Sequence, residues 1–342
     1  MKYQKLLEAE GVQYFSVSSL QEGLELRAVG IETPIMLLTA LPTGYERAAI
    51  QNNIEATVFS FEQADRLNEM CREMNTSYSI HIKLDTGMRR IGFRISDESI
   101  EEISRINSLE HINLKGVFTH FAAADEANNN YTPLQFQDFM DMVEKLEKKG
   151  VVFEIKHVNN DAALFMYDYR EDMVRLGIGL YGIFPSDFVR AKVDFELKPV
   201  MALKSIVTNI KTIQRGETVG YGQTYTAKGE VVIATVGIGY ADGLPRLMSN
   251  KGSVIINGVA CPIVGRVCMD QLMVDVTELQ DVNIDDIVVI FGDPNKNEPE
   301  VGNIADVCDT ISYEILSGVS RRIPRVYIKG GKEVNVVSYL NY

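Results

Sequence analysis

Several short stretches carry side chains able to do chemistry. KLDTGMRRIGF (83–93) sets Lys83 and Asp85 ahead of a glycine turn that leads into Arg89 and Arg90. A turn of this kind with cations can grip an anion, though spacing alone favours a solvated turn with surface arginines. THFAAAD (119–125) carries His120. HVNNDAA (157–163) puts two amides ahead of a helix start. Backbone N–H groups there hold a phosphate, or Asn160 or Asp161 is a plain N-cap. VRLGIGLYG (174–182) places Arg175 in an apolar run. An unpaired cation in such a run is costly, so it needs a partner. Gly177 and Gly179 let a ligand approach the backbone closely. GYADGLPR (239–246) and GRVCMDQ (265–271) add Tyr240, Asp242 and Cys268. Spacing alone points to an enzyme that binds a phosphate-bearing ligand.

The elements that must position these residues follow from hydrophobic periodicity. Short apolar runs at 12–17, 34–39, 56–60, 79–86, 113–121, 152–159 and 173–182 read as seven strands. Helical patterns lie between them, over 19–29, after Pro42, over 61–74, from Ser96, over 132–148 and from Asp161. Strictly alternating β and α units predict a parallel sheet, either doubly wound or a (β/α)8 barrel. No GxGxxG follows the first strand, which counts against a dinucleotide fold. Lys83, Asp85, His120, Asn159, Asn160 and Arg175 fall at strand C-terminal ends, where barrel enzymes keep their chemistry. Near Leu197 the character changes. LKSIVTNIKTI (203–213), EVVIATVGIGY (230–240), SVIINGVACPIVG (253–265) and IVVIFG (287–292) are β-branched runs parted by turn residues, with one helical pattern, 300–318, among them. The expected domains are a barrel over 1–190 and an all-β domain over 191–342.

Composition narrows the function classes. The 342 residues are 46% hydrophobic and 24% charged, ordinary globular values. A formal charge of −13 disfavours a nucleic-acid partner, since phosphate contacts need a basic face. No apolar run approaches the roughly 18 residues of a membrane span, and the charged N-terminus is not a signal peptide. Four scattered cysteines without a CxxC pair suit a reducing, cytoplasmic setting, and no histidine spacing predicts a metal.

Taken in order, KLDTGMRRIGF, FTHFAAAD, HVNNDAA, MVRLGIGLYG, ETVGYGQTY, GYADGLPR, VGRVCMDQ and TISYEI resemble the alanine racemases, fold-type III enzymes that use pyridoxal phosphate (PLP). The resemblance runs through both halves of the chain. It implies interconversion of L- and D-alanine for peptidoglycan precursors, on a barrel followed by a β domain. It implies Tyr240 as the base at one face of Cα, with His120 and Arg175 as its polar chain, and Arg175 facing the PLP pyridine nitrogen. Asn160, residue 161, Gly177, Ile178 and Tyr313 would take the phosphate. Arg90 would serve the PLP phenolic oxygen and the substrate carboxylate. Lys83 matches a lysine often carbamylated in the family. Cys268 and Met269 match the substrate entrance. The working unit implied is a homodimer with shared sites, in which Tyr240 completes the partner's barrel. Two other readings share the scaffold: a catalytically inactive relative, and racemisation of serine.

Two departures from the family pattern stand out. Asp161 replaces a serine whose hydroxyl donates to the phosphate, so an ionised carboxylate meets an anion there unless it is protonated or turned away, for instance to cap the helix. The Schiff-base lysine of the family lies on the first barrel strand, in a segment like VVKANAYGHG. The chain begins in the helix after that strand, and neither Lys2 nor Lys5 matches the lysine. The expectation is a barrel lacking its first strand, and no racemisation by these 342 residues alone.

Overall fold

The computed structural model describes residues 2–338, with side chains from Gln4 onward; the side chain of Lys2 lies outside the described residues. The chain divides into two compact units. One runs to Leu180 and includes Phe184–Phe195; the other comprises Tyr181–Ile183 and the chain from Glu196.

In the first unit, α1 (Lys2–Ala9) is followed by β1 (Phe15–Val17), α2 (Leu20–Ala28), β2 (Ile35–Ala40), α3 (Glu46–Gln51), β3 (Ile54–Val58), α4 (Phe61–Met74) and β4 (Tyr78–Asp85). Then come β5 (Phe93–Arg94), α5 (Asp97–Asn107), β6 (Ile112–Phe118), α6 (Tyr131–Lys148), β7 (Ile155–His157), α7 (Asp161–Met166) and α8 (Asp187–Arg190). Serine marks helix starts locally: Ser19, Ser60 and Ser96 each accept an N–H from the first turn of α2, α4 and α5. The strands pair in parallel in the order β1-β2-β3-β4-β6-β7, in chain order as barrels and not doubly wound sheets are built, with the two-residue β5 pairing β4 off this path. The central strands are buried on both faces, as a parallel sheet covered by helices requires. Helix-side residues such as Ile80, Ile82, Ile103 and Phe139 form the core.

One expected strand is absent. Residues 173–182 carry no strand; they run as irregular backbone into a 3-10 turn at Ile178–Tyr181. Arg175 N donates to Asn159 O, but Gly177 N and Gly179 N donate to the Asp161 carboxylate instead of to a neighbouring strand. A ladder cannot form where a side chain takes its donors.

The second unit is antiparallel. Its strands are β8 (Leu203–Ile213), β9 (Thr218–Val219), β10 (Tyr225–Thr226), β11 (Val231–Val236), β12 (Ser253–Ile256), β13 (Val259–Pro262), β14 (Leu272–Asp275), β15 (Ile287–Phe291), β16 (Arg325–Lys329) and β17 (Lys332–Val337). Six of them form one sheet in the order β13-β12-β15-β8-β11-β14. Helices α9 (Val301–Cys308) and α10 (Ser312–Gly318) contribute Ile304 and Ile315 to the same core as Val207, Val236, Val274 and Ile290.

Candidate active site

Strand periodicity puts a polar row on one face of the parallel sheet. Glu55 and Thr57 on β3, His81 and Lys83 on β4, Gly116 and Phe118 on β6, and His157 on β7 alternate with the apolar residues that face the helices. Their register is direct: Thr57 pairs with His81, His81 with Gly116, Lys83 with Phe118, and Phe118 with His157. A Cβ at Gly116 would lie 2.1 Å from His81 Nδ1, so only glycine leaves room for that imidazole.

Arg175 closes the row. Its Nη1 donates to His157 Nδ1 at 2.7 Å and to His157 O at 3.1 Å, and its Nη2 to Thr119 O at 2.9 Å and Val158 O at 3.0 Å. Its Nε–H makes no hydrogen bond among the described residues. Burial pulls its pKa down to about 10, so it is still a cation at neutral pH. The guanidinium lies 5.4 Å from the centre of the Phe118 ring, which stacks on His157 at 4.6 Å.

That cation sets the charge state of its neighbours. Burial, then Arg175, Lys83 and Arg90, push the His120 pKa down to about 3, so its imidazole is neutral. Burial and then Arg175 hold Lys83 well below the ordinary lysine range, with Asp85 opposing. Lys83 is 3% exposed, and its Nζ donates only to Leu84 O, at 3.2 Å. Arg90 is exposed. The turn that carries it is braced by Asp85, whose Oδ1 accepts from Gly87 N and Arg89 N.

Asn160 is the N-cap of α7, its Oδ1 accepting from Ala163 N at 3.0 Å. Asp161 therefore does not cap; it is the first helical residue. Its carboxylate, 4% exposed, accepts from Gly177 N at 2.8 Å and Gly179 N at 2.9 Å. A Cβ at Gly179 would fall 2.6 Å from that carboxylate. Burial raises the Asp161 pKa against the pull of these amides. The amides thus converge on an anion, and the anion in place is the chain's own.

In the second unit, Tyr240 opens a 3-10 turn and is 43% exposed. Its N–H donates to Cys268 O at 3.0 Å, and Ala241 N to Met269 O at 2.9 Å, so the two motif loops are joined backbone to backbone. Gly239 permits this approach, since a Cβ there would meet both carbonyls at 2.4 Å. Asp242 caps the turn through Gly239 N and pairs with Arg322, which also holds Asp270 at 2.8 Å. Met269 and, on α10, Tyr313 are exposed. The structure thus gathers Lys83, His120, Asn160, Asp161, Arg175, Gly177 and Ile178 on one unit, and Tyr240, Cys268, Met269 and Tyr313 on the other. Sequence reasoning missed Glu55, His81 and His157. Gly116 within a β-branched strand was the available signal.

The residues suit PLP on the ring side: a buried guanidinium with one N–H to spare matches a neutral ring nitrogen. On the phosphate side the Gly177 and Ile178 amides are suitable donors, but Asp161 already holds Gly177 N, along with the neighbouring Gly179 N. Among the described residues, no three His, Cys, Asp or Glu side chains converge as a metal site.

Comparison with known proteins follows the same division. The family model described as "Alanine racemase, N-terminal domain" matches residues 1–185, and that described as "Alanine racemase, C-terminal domain" matches residues 200–327. "Alanine racemase 1" of Clostridium acetobutylicum is 41% identical over 336 residues, covering 98% of this chain and 86% of the relative. The solved alanine racemase of Clostridium difficile 630 superimposes with a TM-score of 0.94 at 43% identity, over 99% of this chain and 88% of that one. An alanine racemase from Bartonella henselae with covalently bound pyridoxal phosphate superimposes with a TM-score of 0.83 at 29% identity, over 94% and 87% of the two chains.

Proposed function

The chain belongs to the alanine racemase family, a PLP-dependent family of isomerases, and from that premise we propose that it binds PLP on its barrel unit and interconverts L- and D-alanine. The observation that carries this reading is Arg175. Four of its N–H groups are committed to carbonyls and a neutral imidazole, and one faces no partner. When bound, PLP draws electron density from the alanine Cα and so acidifies its proton. An arginine beside the ring nitrogen does not favour protonation there, which restrains side reactions such as transamination.

The chain's own residues divide the remaining work. His120, held neutral, joins a hydrogen-bonded chain without adding a second cation. Asn160 and the amides of Gly177 and Ile178, with Tyr313, hold the phosphate once Asp161 has given way. Arg90, Cys268 and Met269 serve the substrate carboxylate and its entrance. Tyr240 holds or removes the proton at one face of Cα. Inversion needs a base at the opposite face as well, which the resemblance assigns to a lysine on a VVKANAYGHG-like strand. Lys83 is the carbamylation site in this reading: burial favours its uncharged, nucleophilic form, CO2 would add to Nζ with release of a proton, and the resulting carbamate would offset Arg175 and Arg90.

We further infer a homodimer in which the second unit of one chain completes the barrel site of its partner; the exposed Tyr240, Met269 and Tyr313 support this. Four free thiols support a cytoplasmic setting. No helix among the described residues is long and apolar enough to cross a membrane. The test follows D-alanine formation from L-alanine with added PLP, L-serine run in parallel. It uses the 342-residue chain and the same chain carrying such a lysine strand ahead of α1. D-Alanine from either supports the reading. None from both, in folded protein that binds PLP, overturns it.

A further inference from the structure

Glu55 has no part in the chemistry assigned above, yet it ends a continuous line of buried hydrogen bonds that begins at Arg175. His157 Nδ1 meets Arg175 Nη1 at 2.7 Å, His157 Nε2 meets His81 Nδ1 at 3.2 Å, and His81 Nε2 meets Glu55 Oε2 at 2.8 Å. Both imidazoles are fully buried. We propose that Glu55 is a positioning residue for Arg175, acting through His81 and His157, and that the line has one polarity with both imidazoles neutral and protonated on Nε2.

The polarity follows from the two ends. A guanidinium can only donate, so His157 Nδ1 must accept. Burial, then the charge of Arg175, keeps His157 far below the ordinary histidine pKa, so it carries a single proton, on Nε2. That proton is donated to His81 Nδ1, which leaves His81 with its proton on Nε2, directed at Glu55. The other end agrees. Burial alone would raise the Glu55 pKa, but hydrogen bonds from His81, Lys115 and Tyr14 outweigh it and hold the carboxylate below its ordinary range. Lys115 Nζ occupies Oε1 at 2.9 Å, and Tyr14 Oη shares Oε2 at 2.8 Å. The ladder between β4 and β6 skips Lys115, Ile80 pairing with Leu114 and His81 with Gly116, which turns the lysine toward Glu55. The carboxylate thus has no donor to offer, and every proton in the line points from Arg175 toward it.

The consequence lies at Arg175. Were the line reversed, His157 Nδ1–H would face an arginine N–H at 2.7 Å, and the guanidinium would have to leave its present position. Glu55→Gln tests this. The Lys115 ammonium requires the amide oxygen, so the amide NH2 faces His81 Nε2 and forces it to accept. Both imidazoles then shift their proton to Nδ1, and the conflict arrives at Arg175.

The experiment records the 15N resonances of the buried histidines at neutral pH in the wild-type protein and in Glu55→Gln. The expected result is Nε2–H for His81 and His157 in the wild type and Nδ1–H for both in the variant. An Nδ1–H or doubly protonated His81 or His157 in the wild type overturns the proposal, a result that needs no variant to fold. So do unchanged tautomers in a folded Glu55→Gln protein. The role toward Arg175 rests on the reading of that residue as part of the racemase site, and a second arm addresses it. With PLP and alanine, and with the lysine strand placed ahead of α1 in both proteins, Glu55→Gln should lose about tenfold or more in kcat with KM little changed. Reversed tautomers with unchanged kcat would overturn the positioning role. Failure of the racemase reading itself appears as absent turnover even in the otherwise unchanged chain that carries the lysine strand ahead of α1, and leaves the tautomer result to be judged alone.

Discussion

Replacing Asp161 by serine is expected to tighten PLP binding substantially. The Asp161 carboxylate sits 2.8 Å from Gly177 N, one of the amides assigned to the phosphate, and 2.9 Å from Gly179 N beside it. Three routes admit the phosphate, and each has a cost. If the carboxylate stays ionised within about 4 Å, each like-charge pair repels by about 4 kcal/mol at an effective dielectric constant near 20, before relaxation. If it rotates away, it gives up two charge-assisted hydrogen bonds of roughly 1.5–3 kcal/mol each, partly recovered from water. If it takes up a proton, the cost is 1.36 kcal/mol for each pH unit above its folded pKa, which burial has already raised and so cheapened. The cheapest route sets the penalty; the first two are of order a few kcal/mol each, and the third shrinks as burial raises the pKa. Serine removes the charge and supplies a donor. An increase in PLP affinity of about 100-fold, near 2.7 kcal/mol, is therefore expected. The assay is equilibrium dialysis of PLP against wild type and Asp161→Ser, with pyridoxal, which lacks the phosphate, as control. Equal PLP affinities, or an equal gain for pyridoxal, would refute the reasoning.

Two further outcomes follow from the same geometry. If Tyr240 completes a partner's site, mixing Tyr240→Phe with Arg175→Ala chains, each carrying the lysine strand ahead of α1, should restore about a quarter of the activity of the unsubstituted chain in that form, because half the dimers carry one intact site; no recovery in verified mixed dimers would refute the shared site. Stability should fall with acid: His157 and Glu55 have folded pKa values below the unfolded ones, so their contribution is present above about 6.5 and 4.5 and drains away as pH drops below each. Asp161, raised from 3.8, works in the opposite direction, losing its contribution as pH rises through its folded pKa. His120, lowered to about 3, acts in the same direction as His157, so Tm measured from pH 7 to pH 4 should decline before general acid unfolding; a flat profile down to pH 5 would contradict this.

What the sequence determined by itself is what local physics decides. The period of apolar residues set the alternation of β1, β2, β3, β4, β6 and β7 with their helices and the change to an all-β domain near Leu197, because helix and strand expose different faces to a core. The structure adds that Ser19, Ser60 and Ser96 cap these helices, a local device, since a cap needs only its own first turn. The motif residues were legible as types: an arginine in an apolar run, a tyrosine after glycine, paired asparagines before a helix. Tertiary structure decided where their bonds go. The run at 173–182 has the composition of a strand, but strand identity depends on a neighbour accepting its amides, and Asp161, 16 residues from Gly177, intervenes. The Glu55–His81–His157 line joins residues 26 and 76 positions apart, and no local rule couples them. They meet because parallel pairing sets β3, β4, β6 and β7 side by side in register, with glycine at 116 clearing the space that a side chain would fill. A buried charge carries its meaning through its partners, and those partners are chosen by strand order and register, which only the assembled sheet contains.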